Sequence, residues 1–431
     1  MAEGAKVKIR MMDAEIGRFA VPVWGELESD LQPKERLYSH SIVELSMSFI
    51  AIASDRKALC LMNRVLHRSI DDREDDATLK LRTMTDLCER IGRQISACSK
   101  ALGARALEEH GFSPTTGLPL PGLQLPSGIT HPDADMFPTG DVMDAAKQLQ
   151  EKGTWIKPQA LSDKYEDPVM SCYIAIDDIG VKKQKERRKN STVALKKRDT
   201  VENTVVKVMT EEDEHILTGI GMANVIQTLL GFLLHNQLLT NQSLIFLTDG
   251  AKNIRNNIKT FFAFRPWSII LDWYHLEKKC GEYLSMGIKG TKIRNQIWDV
   301  LKQFLWGGDI DAAQEYVRGL DANIIKDKDW LDKLNGYFEK NREFIPCYAV
   351  RASLGLRNSS SPVEKANDMI VADRQKHNGM SWSSDGSDAL ASIRALLENG
   401  EVQYWIENKT MPFTIHHHFT WAAPYSSAKA A

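Results

Sequence analysis

The sequence predicts a mixed α/β core that carries an all-helical insertion and follows a helical N-terminal domain. Three observations lead there. Compact apolar runs at 171–176, 243–248 and 267–271 read as buried strands, and each ends at an aspartate: Asp177, Asp249 and Asp272. Two more strand-like runs, 201–209 and 215–221, lie between the first and second of these. Helical periodicity fills 37–110 and 273–355.

Residues 1–35 give little beyond a short strand at 18–23. Ile42, Leu45, Phe49 and Ile52 recur at helical spacing, and Ser54 is placed to cap a second helix with Leu59, Met62 and Leu66. After an acidic linker at 71–76, a third helix carries Leu79, Met84, Leu87 and Ile91, with Lys80 and Arg82 exposed near its start. Gly92 then leads into a further helix. Such short helices suit either a helix-turn-helix DNA reader or a plain bundle. The N-terminal domain is set at 1–112. Six prolines between 113 and 138 mark a linker or extended arm, and with a helix at about 141–152 this segment runs 113–168.

The core begins at 169. Strands 171–176, 201–209 and 215–221 form a meander; then come a helix at 222–239, the strand 243–248, a helix at 251–262 and the strand 267–271. Three consecutive strands followed by alternating helix and strand are the order of a ribonuclease H-like core. This first part ends at 272. From 273 to 355 the chain reads as helical only, at 293–305, 310–320 and 330–340. The core resumes at 356–411 with a helix at 361–377, bearing Glu364 near its start, and another at 385–399. A tail is expected at 412–431.

Composition narrows the function classes. The chain has 431 residues and a formal net charge of −2, so overall charge does not favour nucleic acid. The distribution does. Nine basic residues (Lys182, Lys183, Lys185, Arg187, Arg188, Lys189, Lys196, Lys197 and Arg198) fall between 182 and 198 against the single acid Glu186. A block of this kind is either a solvated loop or a phosphate-binding one. Six scattered cysteines without a CxxC pair argue against a zinc ribbon or disulfide framework and suit a reduced cytoplasm. No run of about 18 apolar residues is present, so no membrane partner is expected. His416, His417 and His418 make only a weak metal tract.

The chemistry lies in the carboxylates. Two aspartates at strand ends and a glutamate in a first helical turn offer oxygen ligands, which suit Mg²⁺ or Mn²⁺ rather than zinc. Alternation puts Tyr173, Ala175 and Asp177 on one face, which favours Asp177 as ligand and leaves Asp178 to cap a turn or orient a water. Asp249 also reads as an N-cap for the helix behind it, and both roles are compatible. Glu364 alone is an ordinary first-turn glutamate.

These residues resemble a known family. Asp177-Asp178-Ile179-Gly180, Asp249-Gly250-Ala251-Lys252, Asp272-Trp273-Tyr274-His275, Ser361-Pro362-Val363-Glu364 and Gly379-Met380-Ser381-Trp382 are similar to motifs of the DDE transposases of bacterial insertion sequences. The likeness is greatest to the Kra-type group, related to the Mutator-like transposases. It covers roughly residues 170–405, and more loosely 37–110. Asp178 stands where the family usually has glycine, and the N-terminal cysteine pairs of some relatives are missing. The resemblance implies a transposase that binds its own terminal repeats and target DNA as a dimer or larger assembly, associated with the bacterial nucleoid in the cytoplasm. Asp177, Asp249 and Glu364 would be catalytic and hold a pair of Mg²⁺ or Mn²⁺ ions, about 3.5–4 Å apart. Cleavage would release a 3′-OH that then attacks target DNA. His275 would position the scissile phosphate or bond Asp272, Asp178 and Asp272 would support the site, and Trp382 would belong to the core or stack on a base. Lys182, Lys183, Arg187, Arg188, Lys80, Arg82, Arg374, Lys376 and His377 would contact DNA. A nuclease that cuts without joining, and a non-catalytic DNA-binding derivative, are the alternatives.

Overall fold

The structure, a computed structural model, describes residues 6–11, 14–20, 40–67, 80–132, 135–161, 163–184, 199–376 and 380–415. The acidic stretch 71–76, Arg187 and Arg188 with most of the basic block, His377 and the 416–418 histidines lie outside these residues. Strands β1 (Lys6–Met11) and β2 (Ala14–Ala20) pair antiparallel, where the sequence suggests one strand at 18–23.

The central sheet holds β3 (Ser171–Lys182), β4 (Thr200–Met209), β5 (Glu214–Ile220), β6 (Ser243–Thr248) and β7 (Ser268–Leu271) in the order β5-β4-β3-β6-β7. β4 is antiparallel to β3 and β5, whereas β6 runs parallel to β3 and β7. The expected meander and the alternation of helix and strand are both present. β3 is longer than its sequence suggests. Pairing with β6 stops at Ala175–Leu247, but residues 176–182 stay paired with β4 from Val206 to Thr200. Asp177 is therefore held within a strand on one side and lies past the last β6 pair on the other.

The longer helices are α1 (His40–Ile52), α2 (Asp55–His67), α3 (Leu81–Glu109), α4 (Thr139–Glu151), α5 (Met222–His235), α6 (Lys252–Phe261), α7 (Trp273–Gly287), α8 (Thr291–Trp306), α9 (Ile310–Arg318), α10 (Lys328–Asn341), α11 (Tyr348–Ser353), α12 (Ser361–Asn367), α13 (Ser384–Glu398) and α14 (Val402–Asn408). α3 is continuous through Gly92, where the sequence suggests a break. A Cβ on Gly92 would fall 2.2 Å from the Ala389 carbonyl oxygen, so this glycine admits α13 rather than ending a helix. Gly231 of α5 stands against Gly103 of α3 in the same way, with 2.3 Å from a built Cβ to the Gly103 oxygen.

Apolar packing ties α1–α3 to α13 and α14. Met47, Met62, Met84, Leu87 and Ile91 of α1–α3 share a cluster with Leu390, Ile393, Trp405 and Ile406 of α13 and α14. A larger cluster surrounds the sheet and extends through α5 and α6 into α7–α10. Beyond Pro412, where a tail is expected, Phe413 is 2% exposed and meets the Phe232 ring edge-on at 5.2 Å.

After α12 the helix widens into a π-turn, Asp368–Ala372, before the short Asp373–Gln375 turn. A π-turn takes up one extra residue, which rotates later positions by about 100° relative to an unbroken helix. Arg374, in that short turn, is 2% exposed.

Candidate functional site

Three aspartates line up at the carboxyl ends of the parallel strands. The last paired residues of β3 and β6 are Ala175 and Leu247, and Asp177 and Asp249 each lie two residues further on. Thr248 of β6 pairs with Leu271 of β7, and Asp249 and Asp272 each follow by one. β3 is also where the sheet changes from antiparallel to parallel. Open α/β sheets characteristically place their sites at the carboxyl ends of strands around such a change.

The backbone after β6 turns sharply. Gly250 has φ of 79°, a left-handed conformation that glycine adopts without strain, and Asp249 Oδ1 accepts the Ala251 N–H at 2.7 Å. Asp249 thus closes the turn before α6 but is not its N-cap, the role that its sequence position suggests: Ala251 holds that position, without a side-chain cap.

Asp272 is fully buried and saturated with donors. Its Oδ1 accepts the His275 backbone N–H at 2.7 Å and lies 3.2 Å from His275 Nδ1. Its Oδ2 accepts the N–H and the hydroxyl of Ser360, the residue before α12. Burial alone would raise this carboxyl, but the hydrogen bonds from His275, Ser360 and Ser359 outweigh it and hold it below the usual range. The same bond to Asp272 raises His275, against burial and with help from the charges of Asp249 and Glu364. His275 Nδ1 is 3.4 Å from Glu364 Oε1. Asp272 therefore anchors two segments at once, the first turn of α7 and the entry to α12, and brings Glu364 to the histidine.

Asp177 stands near enough to feel the charges of Asp249 and His275. Its Oδ1 accepts the Asp178 N–H at 2.9 Å, and its Oδ2 accepts a hydrogen bond from Asn367 Nδ2 at 2.7 Å, in the last turn of α12. Its carboxyl is pushed up to about 6, first by burial and then by the negative charge of Asp249, against relief from the Asp178 N–H, His275 and Asn367. Asn367 Oδ1 is buried without a hydrogen-bond partner. A carboxylate raised by burial and by Asp249, with an orphaned amide oxygen beside it, makes this spot electron-rich.

Ligand atoms of Asp272, His275 and Glu364 all lie within 4.8 Å of one another, so this group could hold a metal ion. Asp272 already has both oxygens engaged, which leaves it the poorest candidate ligand of the three.

The other expected residues are scattered. Asp178, on the opposite face from Asp177, accepts the Thr204 hydroxyl at 2.6 Å. Lys182 and Lys183 are exposed at the end of β3. Lys80 is exposed just before α3, and Arg82 in its first turn stands 3.6 Å from Asp86. Lys376 is exposed. Arg374 is not available to DNA: it bonds the Ile50 carbonyl at 3.0 Å and Asp55 at 2.6 Å, and its guanidinium lies over the Trp382 ring. Trp382 donates to the Gln375 carbonyl at 3.2 Å and packs against both large apolar clusters.

Sequence reasoning misses Asn367, Ser360 and a buried ion pair behind them. Arg351 meets Glu166 through both terminal nitrogens, at 2.8 and 2.5 Å, and also bonds Asn358 Oδ1 and the Arg357 carbonyl. Asn358 in turn accepts the Trp273 N–H through its carbonyl. The segment entering α12 is thus braced from both sides. Asn367, three residues after Glu364 on the same helical face, is the one position whose spacing could have pointed to it.

No family model matches the chain. No curated protein matches it either. Among solved structures, it is similar to the Drosophila P element transposase strand transfer complex, at 12% identity over 88% of this chain and 83% of that one, with a TM-score of 0.26, a likeness too slight to bear on fold or chemistry. Among the described residues, no helix is long and apolar enough to cross a membrane.

Proposed function

We propose that the chain is a DNA transposase with a ribonuclease H-like core, of the kind found in bacterial insertion sequences of the Kra-type group. The observation that carries this reading is the level placement of Asp177 and Asp249 on neighbouring parallel strands, with Glu364 brought to His275 beside them. Asp177, Asp249 and Glu364 would hold Mg²⁺ or Mn²⁺, and the orphaned Asn367 oxygen fits an oxygen-lined cation site. Bound there, two divalent ions supply the charge that activates an attacking hydroxyl and stabilises the leaving oxygen of a phosphodiester.

The chain's own residues do the positioning. Asn367 holds one oxygen of Asp177, so the carboxylate has a fixed orientation. Asp272 holds the His275 ring through Nδ1, which leaves Nε2 for a substrate oxygen. Lys182 and Lys183 lead from the strand bearing Asp177 into the basic block, which would follow the DNA backbone. Lys80, Arg82 and Lys376 add further phosphate contacts. Two element ends must be held together for joining, so a dimer or larger assembly on DNA follows.

Thermal unfolding with EDTA or Mn²⁺, at pH 8 and at pH 5.5, tests the cation site. Protons compete with the ion for Asp177, whose carboxyl is pushed up to about 6, so Mn²⁺ should stabilise the protein strongly at pH 8 and much less at pH 5.5. At one hundred times Kd the gain is about 2.7 kcal/mol. No stabilisation at either pH would remove the metal assignment.

A further inference from the structure

A cavity of about 480 Å³ has Trp273, the residue after Asp272, in its wall. Its other walls are Trp155, from the turn after α4, and Trp306, at the end of α8. The use of three indoles in one cavity is the first clue. Trp273 and Trp306 meet edge-to-face at 4.7 Å and brace each other. Trp155 is 47% exposed yet fixed: its Nε1 donates to Asp309 at 3.0 Å, and its ring meets Phe304 edge-to-face at 5.1 Å. A large aromatic face that is immobilised and left open to solvent is a ready stacking platform.

The polar lining gives the second clue. Lys152 and Lys302 are exposed at the cavity, and Lys302 is held only loosely by Glu277, 3.9 Å away across the surface. Gln303 and Asp299 also line it. An amide that both donates and accepts, next to a carboxylate that only accepts, suits the edge of a base bearing an amino group. Asp299 disfavours a bare anion, so phosphate alone is a poor occupant. The volume admits one nucleotide and excludes a duplex.

We propose that this cavity takes a single unpaired nucleotide of the DNA substrate, its base against Trp155 and its phosphates near Lys152 and Lys302. The inference rests on the DNA-transfer reading above and specifies how that site grips its substrate. Holding one unpaired nucleotide there would fix the register of the strand on the protein.

The test uses the full chain in EDTA, so that no metal chemistry intervenes. A short single-stranded oligonucleotide containing 2-aminopurine reports stacking through quenched emission, and a labelled duplex reports general DNA binding by anisotropy. Wild type should quench the probe. Trp155→Ala should lose the quench and bind single strand at least about fivefold more weakly, with duplex binding within about twofold of wild type. Trp155→Phe, which keeps a ring, should retain the quench. Equal quenching in Trp155→Ala, or loss of it in Trp155→Phe, overturns the stacking site. Duplex binding without any quench by wild type also overturns it and leaves the DNA-transfer reading standing. Failure of wild type to bind either DNA sinks that reading itself.

Discussion

Replacing Asp177 with asparagine should stabilise the metal-free protein and, at the same time, eliminate metal-dependent DNA cleavage. Both effects come from the same crowding. The Asp177 carboxyl is pushed up to about 6 from an ordinary value of 3.8. Between those values the native state binds more protons than the unfolded state, so stability falls as pH rises through this window. Above about 6 the deficit is fully present. A rise of that size corresponds to roughly 3 kcal/mol, and allowance for partial exposure brings the expected gain from Asp177→Asn to about 2 kcal/mol at pH 8. An asparagine oxygen still accepts the Asp178 N–H, and its NH₂ group can donate to Asn367 Oδ1 once that amide turns over, so local packing is preserved. The same substitution removes an anionic ligand, and cleavage should fall on the order of 10³-fold or more. Denaturant melts in EDTA at pH 8, paired with a cleavage assay, read both. A variant less stable than wild type, or one that cleaves normally, would contradict the assignment. Functional carboxylates held against their electrostatic preference are a familiar source of this trade between stability and activity.

Arg351→Ala should produce the largest loss of stability. Arg351 and Glu166 are 3% and 7% exposed in their side chains, and the pair is bidentate. Removing the guanidinium strands a buried carboxylate, strips Asn358 and the Arg357 carbonyl of a donor, and leaves the Tyr173 hydroxyl as the neighbour of Glu166. Breaking such a pair from one side costs about 3–5 kcal/mol, whereas replacing both partners with apolar residues of similar volume is often close to neutral. Urea melts of wild type, Arg351→Ala and the double variant Glu166→Leu/Arg351→Met separate the two. The single variant should unfold at a clearly lower denaturant concentration than the double. A single variant as stable as wild type would mean that the pair does not brace the segment entering α12.

Much of the core is legible in the sequence because apolar runs bounded by polar residues are local signals. β6 reads to the residue, and β4 and β5 to within one at each end. The end of β3 misleads for a physical reason: Asp177 and Asp178 look like a strand terminus, yet β4 keeps pairing alongside them. Gly92 looks like a boundary because a glycine inside a helix usually weakens it, whereas here the close approach of α13 uses the missing side chain. Arg374 reads as a surface contact from its charge, although helical spacing already sets it four residues after buried Ile370 and seven after buried Asn367. The supporting contacts have no local signature at all. Asn367 meets Asp177 across 190 positions of sequence and Arg351 meets Glu166 across 185, and nothing nearby in the chain marks either pair.

The most direct measurement is strand transfer in vitro, with DNA ends taken from the genomic flanks of the gene, comparing wild type with Glu364→Ala in Mg²⁺ and Mn²⁺. The carboxylate assignment predicts joined products from wild type and none from the variant, with DNA binding retained by both. Joining by Glu364→Ala at the wild-type rate would contradict it.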